Sequence, residues 1–222
     1  MKTDILVILD PGHGGLKNGA YVTAPAKMYA HKNGPTIYEG VFNRDIAAKL
    51  EYKLKTLGIP SLNVARGPED KPLKDRVEEA NKAAALNNGK AIYISIHANA
   101  GGGKGFECYT SKGETLSDKI ADFYMEAMEE EFPKRVARMD TTDGDKDKEA
   151  NFYVLKKTSM PAILTESFFM DNLEDAKEML TTAGASKVAN AHLKTILNVL
   201  EIEDFFSKKV GAKKPAKKKV KK

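Results

Sequence analysis

The chain has 222 residues, enough for one well-filled core, and its 41% hydrophobic content suits a globular protein in water. A lone cysteine, Cys108, excludes internal disulfides and cysteine-rich metal clusters, and no apolar run approaches the ~20 residues of a membrane helix. The net charge of +5 misleads, because residues 208–222 carry nine lysines and no acid, leaving 27 basic against 31 acidic residues elsewhere. That mildly acidic body offers no interleaved basic and aromatic face for specific nucleic-acid binding.

The first element is a strand over residues 4–10, "DILVILD", a continuous apolar run of the kind buried on both faces of a sheet. It stops on "PGHGG", which places His13 in a glycine-flanked turn. The apolar start is too short for the ~7–15-residue core of a signal peptide, so no export signal is expected. Residues 14–38 lack periodicity and read as a long loop. Ile46, Ala47, Leu50, Leu54 and Leu57 then recur at helical spacing, and Gly58 is a natural stop. A strand at 59–65 precedes a helix with Pro72 in its first turn and its end near Gly89. "AIYISIH" (91–97) is a β-branched central strand, and "GFECYT" (105–110) is another. A helix over 114–131 leads into a polar loop at 133–150. "NFYVL" (151–155) and "PAILTES" (161–167) read as further strands. Asn172 caps a short helix, and 185–203 forms the last long one. Strands alternating with helices indicate a single α/β domain over residues 1–206 with a largely parallel sheet. Residues 207–222 form a lysine-rich tail with nothing to pack, expected to be disordered.

Polar residues end three of the buried strands: His13, His97 and Glu166. The carboxyl ends of strands in open α/β sheets form the crevice where ligands bind. Glu39, in the first turn of the helix after the long loop, joins them. Two histidines and one carboxylate with a position left for water match the makeup of a catalytic zinc site. A further carboxylate near the water, off the metal, serves to take and return a proton. A phosphate-cradling loop is the rival for "DPGHGG", but the Gly-Lys-Ser/Thr ending of such a loop is absent. His31 lies in a polar loop and reads as solvated, and His192 sits among Ala191, Leu193 and Ile196 as a packing residue. Asp143, Asp145 and Asp147 evoke a calcium loop, but Lys148 stands where the glycine of that motif belongs.

"LDPGHGG", "EGVFNRDIAAKL", "SIHANA", "FYVL" and "PAILTESFFMDN" follow one another in the order found in zinc-dependent N-acetylmuramoyl-L-alanine amidases of the amidase-3 type, which the chain resembles over residues 4–200. The resemblance implies a mixed, twisted sheet of about six strands between helices, in agreement with the strand count above. It implies one zinc ion on His13, Glu39 and His97, with Glu166 as the catalytic carboxylate. It implies cleavage of the amide between muramic acid and the L-alanine of the peptidoglycan stem peptide. Asn99 is placed to hydrogen-bond substrate or to support the loop holding His97. One departure is Ser167, which stands where the family pattern has glycine. No inserted autoinhibitory helix is evident, so constitutive activity is expected.

Lacking a signal peptide and a wall-binding repeat, the chain looks most like a phage endolysin, made in the cytoplasm and acting at the bacterial wall, with a bacterial autolysin or recycling amidase as the alternative origin. The lysine tail is expected to attract anionic envelope polymers, while no specific nucleic acid and no membrane span are expected. The alternative function is a zinc peptidase or deacetylase that shares the metal site but acts on another amide.

Overall fold

The structure, a computed structural model, describes residues 3–142, 144–202 and 205–207. Strand β1 (Leu6–Pro11) is followed by two small hairpins, β2 (Leu16–Lys17) with β3 (Ala20–Tyr21) and β4 (Met28–Ala30) with β5 (Thr36–Tyr38). Next come α1 (Glu39–Leu57), β6 (Ser61–Asn63), α2 (Leu73–Leu86), β7 (Ala91–Asn99) and β8 (Phe106–Thr110). The chain continues through α3 (Leu116–Glu131), β9 (Lys148–Glu149), α4 (Tyr153–Lys157), β10 (Ala162–Phe169), α5 (Leu173–Met179) and α6 (Thr182–Leu200).

Six strands form one sheet in the order β6-β1-β7-β10-β8-β9, parallel throughout except where β8 runs antiparallel to β10. Alternation of side chains explains how the central strands bury both faces. Val7, Leu9, Ile92, Ile94 and Ile163 point into a core closed by α1, α3, α5 and α6. Ile8, Tyr93 and Leu164 point the other way, into a smaller core closed by α2 and α4. In α1 the buried Ile46, Ala47, Leu50 and Leu54 form one stripe, and truncating such a leucine to alanine typically costs about 2–5 kcal/mol. The helix ends where Gly58 adopts φ 71° and its N–H reaches back to the Leu54 and Lys55 carbonyls. Thr115 and Asp118 form a reciprocal cap on α3, and Asn172 caps α5 as its side chain accepts from Glu174 and Asp175 N–H.

The structure corrects four expectations. Residues 153–157 are a helical turn, not a strand: the consecutive Val154 and Leu155 both pack into the same smaller core on one side of the sheet. The sixth strand is instead Lys148–Glu149, taken from the stretch expected to be loop. The segment 14–38 is built from the two hairpins rather than being a featureless loop. The last helix also starts at Thr182, a turn before the expected position, with Thr181 as its cap. The tail at 208–222 lies outside the described residues.

Candidate active site

Parallel pairing brings the carboxyl ends of β1, β7 and β10 to one edge. Pro11 pairs with Ile96, and Glu166 pairs with His97 on one side and with Glu107 on the other. His13 sits two residues past β1, in a left-handed conformation with φ 63°. A side chain other than glycine pays about 1–2 kcal/mol for that conformation, so the surrounding contacts must fix it. They are identifiable. A Cβ on Gly12 would stand 2.1 Å from the His97 ring, so only glycine lets the turn cross over that imidazole. A Cβ on Gly40 would stand 1.8 Å from the Gly14 carbonyl oxygen, so the first turn of α1 packs directly on the same turn. That packing delivers Glu39, the first residue of α1, to the two histidines.

Below the turn lies Asp10, fully buried. One of its oxygens accepts from Arg76 Nη1 at 2.7 Å, and the other accepts from Tyr93 OH at 2.6 Å and Ser95 Oγ at 3.0 Å. Arg76 Nη1 also donates to the Pro11 carbonyl at 3.1 Å, so a buried ion pair anchors the chain leading to His13. Burial works against ionisation of Asp10, but the Arg76 charge and the Tyr93 bond outweigh it and hold its carboxyl below the usual range.

Glu39 Oε1 lies 3.0 Å from His97 Nδ1 and 3.3 Å from His13 Nε2, and accepts from the Ala98 N–H at 3.2 Å. The imidazole rings stand edge to face, 4.9 Å apart. Ligand atoms of His13, Glu39 and His97 all lie within 4.8 Å of one another. Burial raises the proton affinity of Glu39, yet the two histidines overcome it and keep the carboxyl well below its ordinary range. Burial lowers the proton affinity of His97, and Glu39 more than restores it. His13 Nε2 is buried and makes no hydrogen bond, with Glu39 Oε1 its neighbour at 3.3 Å.

Glu166 Oε2 is likewise buried without a hydrogen-bond partner. Burial, with the neighbouring Glu39 and Glu107 carboxylates, pushes the Glu166 carboxyl up to about 8 against the pull of His97. Just beyond it β10 bulges, with Phe168 at φ 81°, and Ser167 Oγ meets Tyr124 OH at 2.8 Å inside the core. Bulges of this kind re-aim side chains beside active sites.

Sequence reading therefore named four residues that the fold brings together, and the others divide as follows. Asn99 donates to Glu107 Oε1 at 2.6 Å and accepts from the Ala100 N–H, so its amide serves the strand end that carries His97. His31 is half-buried rather than freely solvated: its Nε2 lies 2.8 Å from the Met170 carbonyl, tying the β4–β5 hairpin to the end of β10. His192 is buried in the core, as expected. Arg76 was missed, although its place beside Val77, Ala80 and Ala84 on the buried stripe of α2 signals a cation that needs a buried partner. Glu107 was missed too, hidden in an otherwise apolar strand.

A family model for N-acetylmuramoyl-L-alanine amidase (Amidase_3) matches residues 7–198. The endolysin of Bacillus phage SPP1 is 31% identical over 218 residues, covering 96% of this chain and 70% of that protein. N-acetylmuramoyl-L-alanine amidase CwlM of Bacillus licheniformis is 32% identical over 189 residues, covering 85% of this chain and 66% of its own length. Among solved structures, an N-acetylmuramoyl-L-alanine amidase from Clostridium difficile 630 superposes with a TM-score of 0.70 at 25% identity, covering 89% of this chain and 97% of that one.

Proposed function

The chain belongs to the N-acetylmuramoyl-L-alanine amidase family, and we propose that it cleaves the muramoyl–L-alanine amide of peptidoglycan with zinc on His13, Glu39 and His97 and with Glu166 carrying the proton. The observation that carries this reading is the convergence of those four side chains at one sheet edge. Two imidazole nitrogens and one carboxylate oxygen are the donor set of a catalytic zinc site. His13 Nε2 fits it as well, because a buried ring nitrogen without a hydrogen bond is costly unless something else satisfies it. Bound there, zinc supplies Lewis acidity, drawing electron density from a carbonyl and making a water easier to deprotonate.

The protein's own groups perform the rest. Glu39, held ionised by its neighbours, presents an anionic oxygen between the two imidazoles. Glu166 takes a proton from the attacking water as its oxygen bonds to the lactyl carbonyl carbon. The same carboxyl returns a proton to the alanine nitrogen as the C–N bond breaks, leaving a carboxylic acid on the sugar and a free amine on the peptide. Burial and the neighbouring carboxylates raise the proton affinity of Glu166, as suits a group that holds and passes on a proton, and a dication bound beside it would lower that affinity again.

Metal analysis tests the ligand set. The purified protein should hold one zinc per chain and His97→Ala should lose it; full zinc occupancy in a folded His97→Ala protein would overturn the assignment.

Similarity to the SPP1 endolysin over most of both chains supports a bacteriolytic role at the cell wall. No described helix is long and apolar enough to cross a membrane. The nine lysines of residues 208–222 support attraction to anionic envelope polymers. Truncation after Phe206 should leave hydrolysis of a small soluble muropeptide intact and weaken sedimentation with walls at low salt, a difference lost near ~1 M salt. Equal sedimentation of both forms at low salt would contradict that role.

A further inference from the structure

Glu166 has a second carboxylate beside it. Glu107 is its partner across the antiparallel β8–β10 pair, so the two side chains leave the same face of the sheet. Glu107 is buried and gathers four donors: Asn99 Nδ2 at 2.6 Å and Tyr109 OH at 2.8 Å on one oxygen, Arg138 Nε at 2.8 Å and the Lys148 ammonium on the other. Two cations share that one carboxylate, and Lys148 is also within electrostatic reach of Asp140, which leaves Arg138 as the less compensated of the two.

Both cations are reachable. The Arg138 side chain is 39% exposed and the Lys148 side chain 24%, whereas Glu107 beneath them is 2% exposed. Arg138 spends only its Nε on Glu107, and its terminal nitrogens have no partner among the described residues. Its guanidinium also lies 5.1 Å from the Phe169 ring centroid, and Phe169 is the last residue of the strand that carries Glu166. Stacking and the Nε bond together fix a planar fork whose free edge matches a carboxylate.

We infer that Arg138, with Lys148 beside it, binds a free carboxylate of the peptide that the enzyme releases. The inference rests on the muramoyl-amidase reading. In a soluble muramoyl peptide the sugar and the scissile amide are neutral, so the anion arrives on the peptide beyond the alanine. Glu107 is the positioning residue of this subsite: it holds both cations against the sheet next to Glu166.

The test uses the zinc-loaded enzyme and two synthetic muramoyl-L-alanyl peptides. They differ only in whether the residue after alanine carries a free carboxylate or its primary amide. Wild type should favour the carboxylate in kcat/KM by about tenfold to a hundredfold, the range for a hydrogen bond to a charged group. Arg138→Gln should bring the ratio close to one, Arg138→Lys should retain part of it, and Lys148→Met should lower it. Both substrates are compared on one preparation, so loss of folded enzyme cancels from the ratio, and a purely structural role for Arg138 would leave it untouched. Equal cleavage of both peptides by wild type, or an unaltered preference in Arg138→Gln, would overturn the carboxylate subsite and leave the amidase reading standing. Cleavage of neither peptide by wild type would overturn the amidase reading, and the subsite with it.

Discussion

Arg76→Met should destabilise the fold by about 3–5 kcal/mol, the usual cost of stranding one member of a buried ion pair. Asp10 and Arg76 have side-chain exposures of 1% each and meet at 2.7 Å, so water cannot replace the lost guanidinium. The variant keeps the Tyr93 and Ser95 bonds to Asp10, but both donors are neutral. Either an unpaired carboxylate stays in the core or it binds a proton, and each course costs free energy. Against a typical total stability of ~5–15 kcal/mol the loss is large, and in a chain of this length it lowers Tm by roughly 6–20 °C. Adding Asp10→Asn removes the stranded charge while filling the same space. The double variant should therefore be less impaired than the sum of the singles, with a coupling of about 1–3 kcal/mol. Urea unfolding of the four proteins, followed by circular dichroism with a chelator present, measures this without a contribution from bound metal. The pH sign is also fixed. Asp10 is held below its ordinary 3.8, so the stabilisation it gains is present above that pH and declines as acid is added below it. Arg76→Met within about 1 kcal/mol of wild type, or an additive cycle, would refute this account of how the His13 turn is anchored.

Glu166→Gln should keep the fold and the metal while losing about 10²–10⁴-fold in kcat, since the amide fills the same space without accepting a proton; a variant retaining a third of the wild-type rate would remove Glu166 from the chemistry. His192 is buried, with its proton affinity depressed from 6.5 to about 4 by that burial. Its neutral form stabilises the fold fully above pH 6.5, and that contribution fades as pH falls toward 4, amounting to a loss of about 2 kcal/mol at pH 5. Unfolding free energies of wild type and His192→Gln between pH 7 and 5 check this: an identical acid-induced loss in both would contradict it.

Three of the candidate site residues were legible because each follows a run of apolar residues. His13 closely follows a buried strand, and His97 and Glu166 interrupt two others, so a polar group at each place is conspicuous. Glu39 could be placed because α1 has a clear 3.6-residue stripe, which locates its own first turn. What stayed hidden depends on partners distant in the chain. The two cations that hold Glu107, Arg138 and Lys148, lie 31 and 41 residues away. The pair of Asp10 with Arg76 spans 66 residues, so nothing local reveals it. The misread stretch "NFYVL" is too short for periodicity to separate strand from helix. The true sixth strand, Lys148–Glu149, has no apolar signature because it pairs only at the sheet edge.

Mass spectrometry of the products released from purified peptidoglycan tests the central claim most directly. Cleavage between N-acetylmuramic acid and L-alanine should create new L-alanine amino termini and intact glycan strands with no new reducing ends. New reducing sugar ends, or peptides opened at an internal bond with the muramoyl–alanine amide intact, would contradict it.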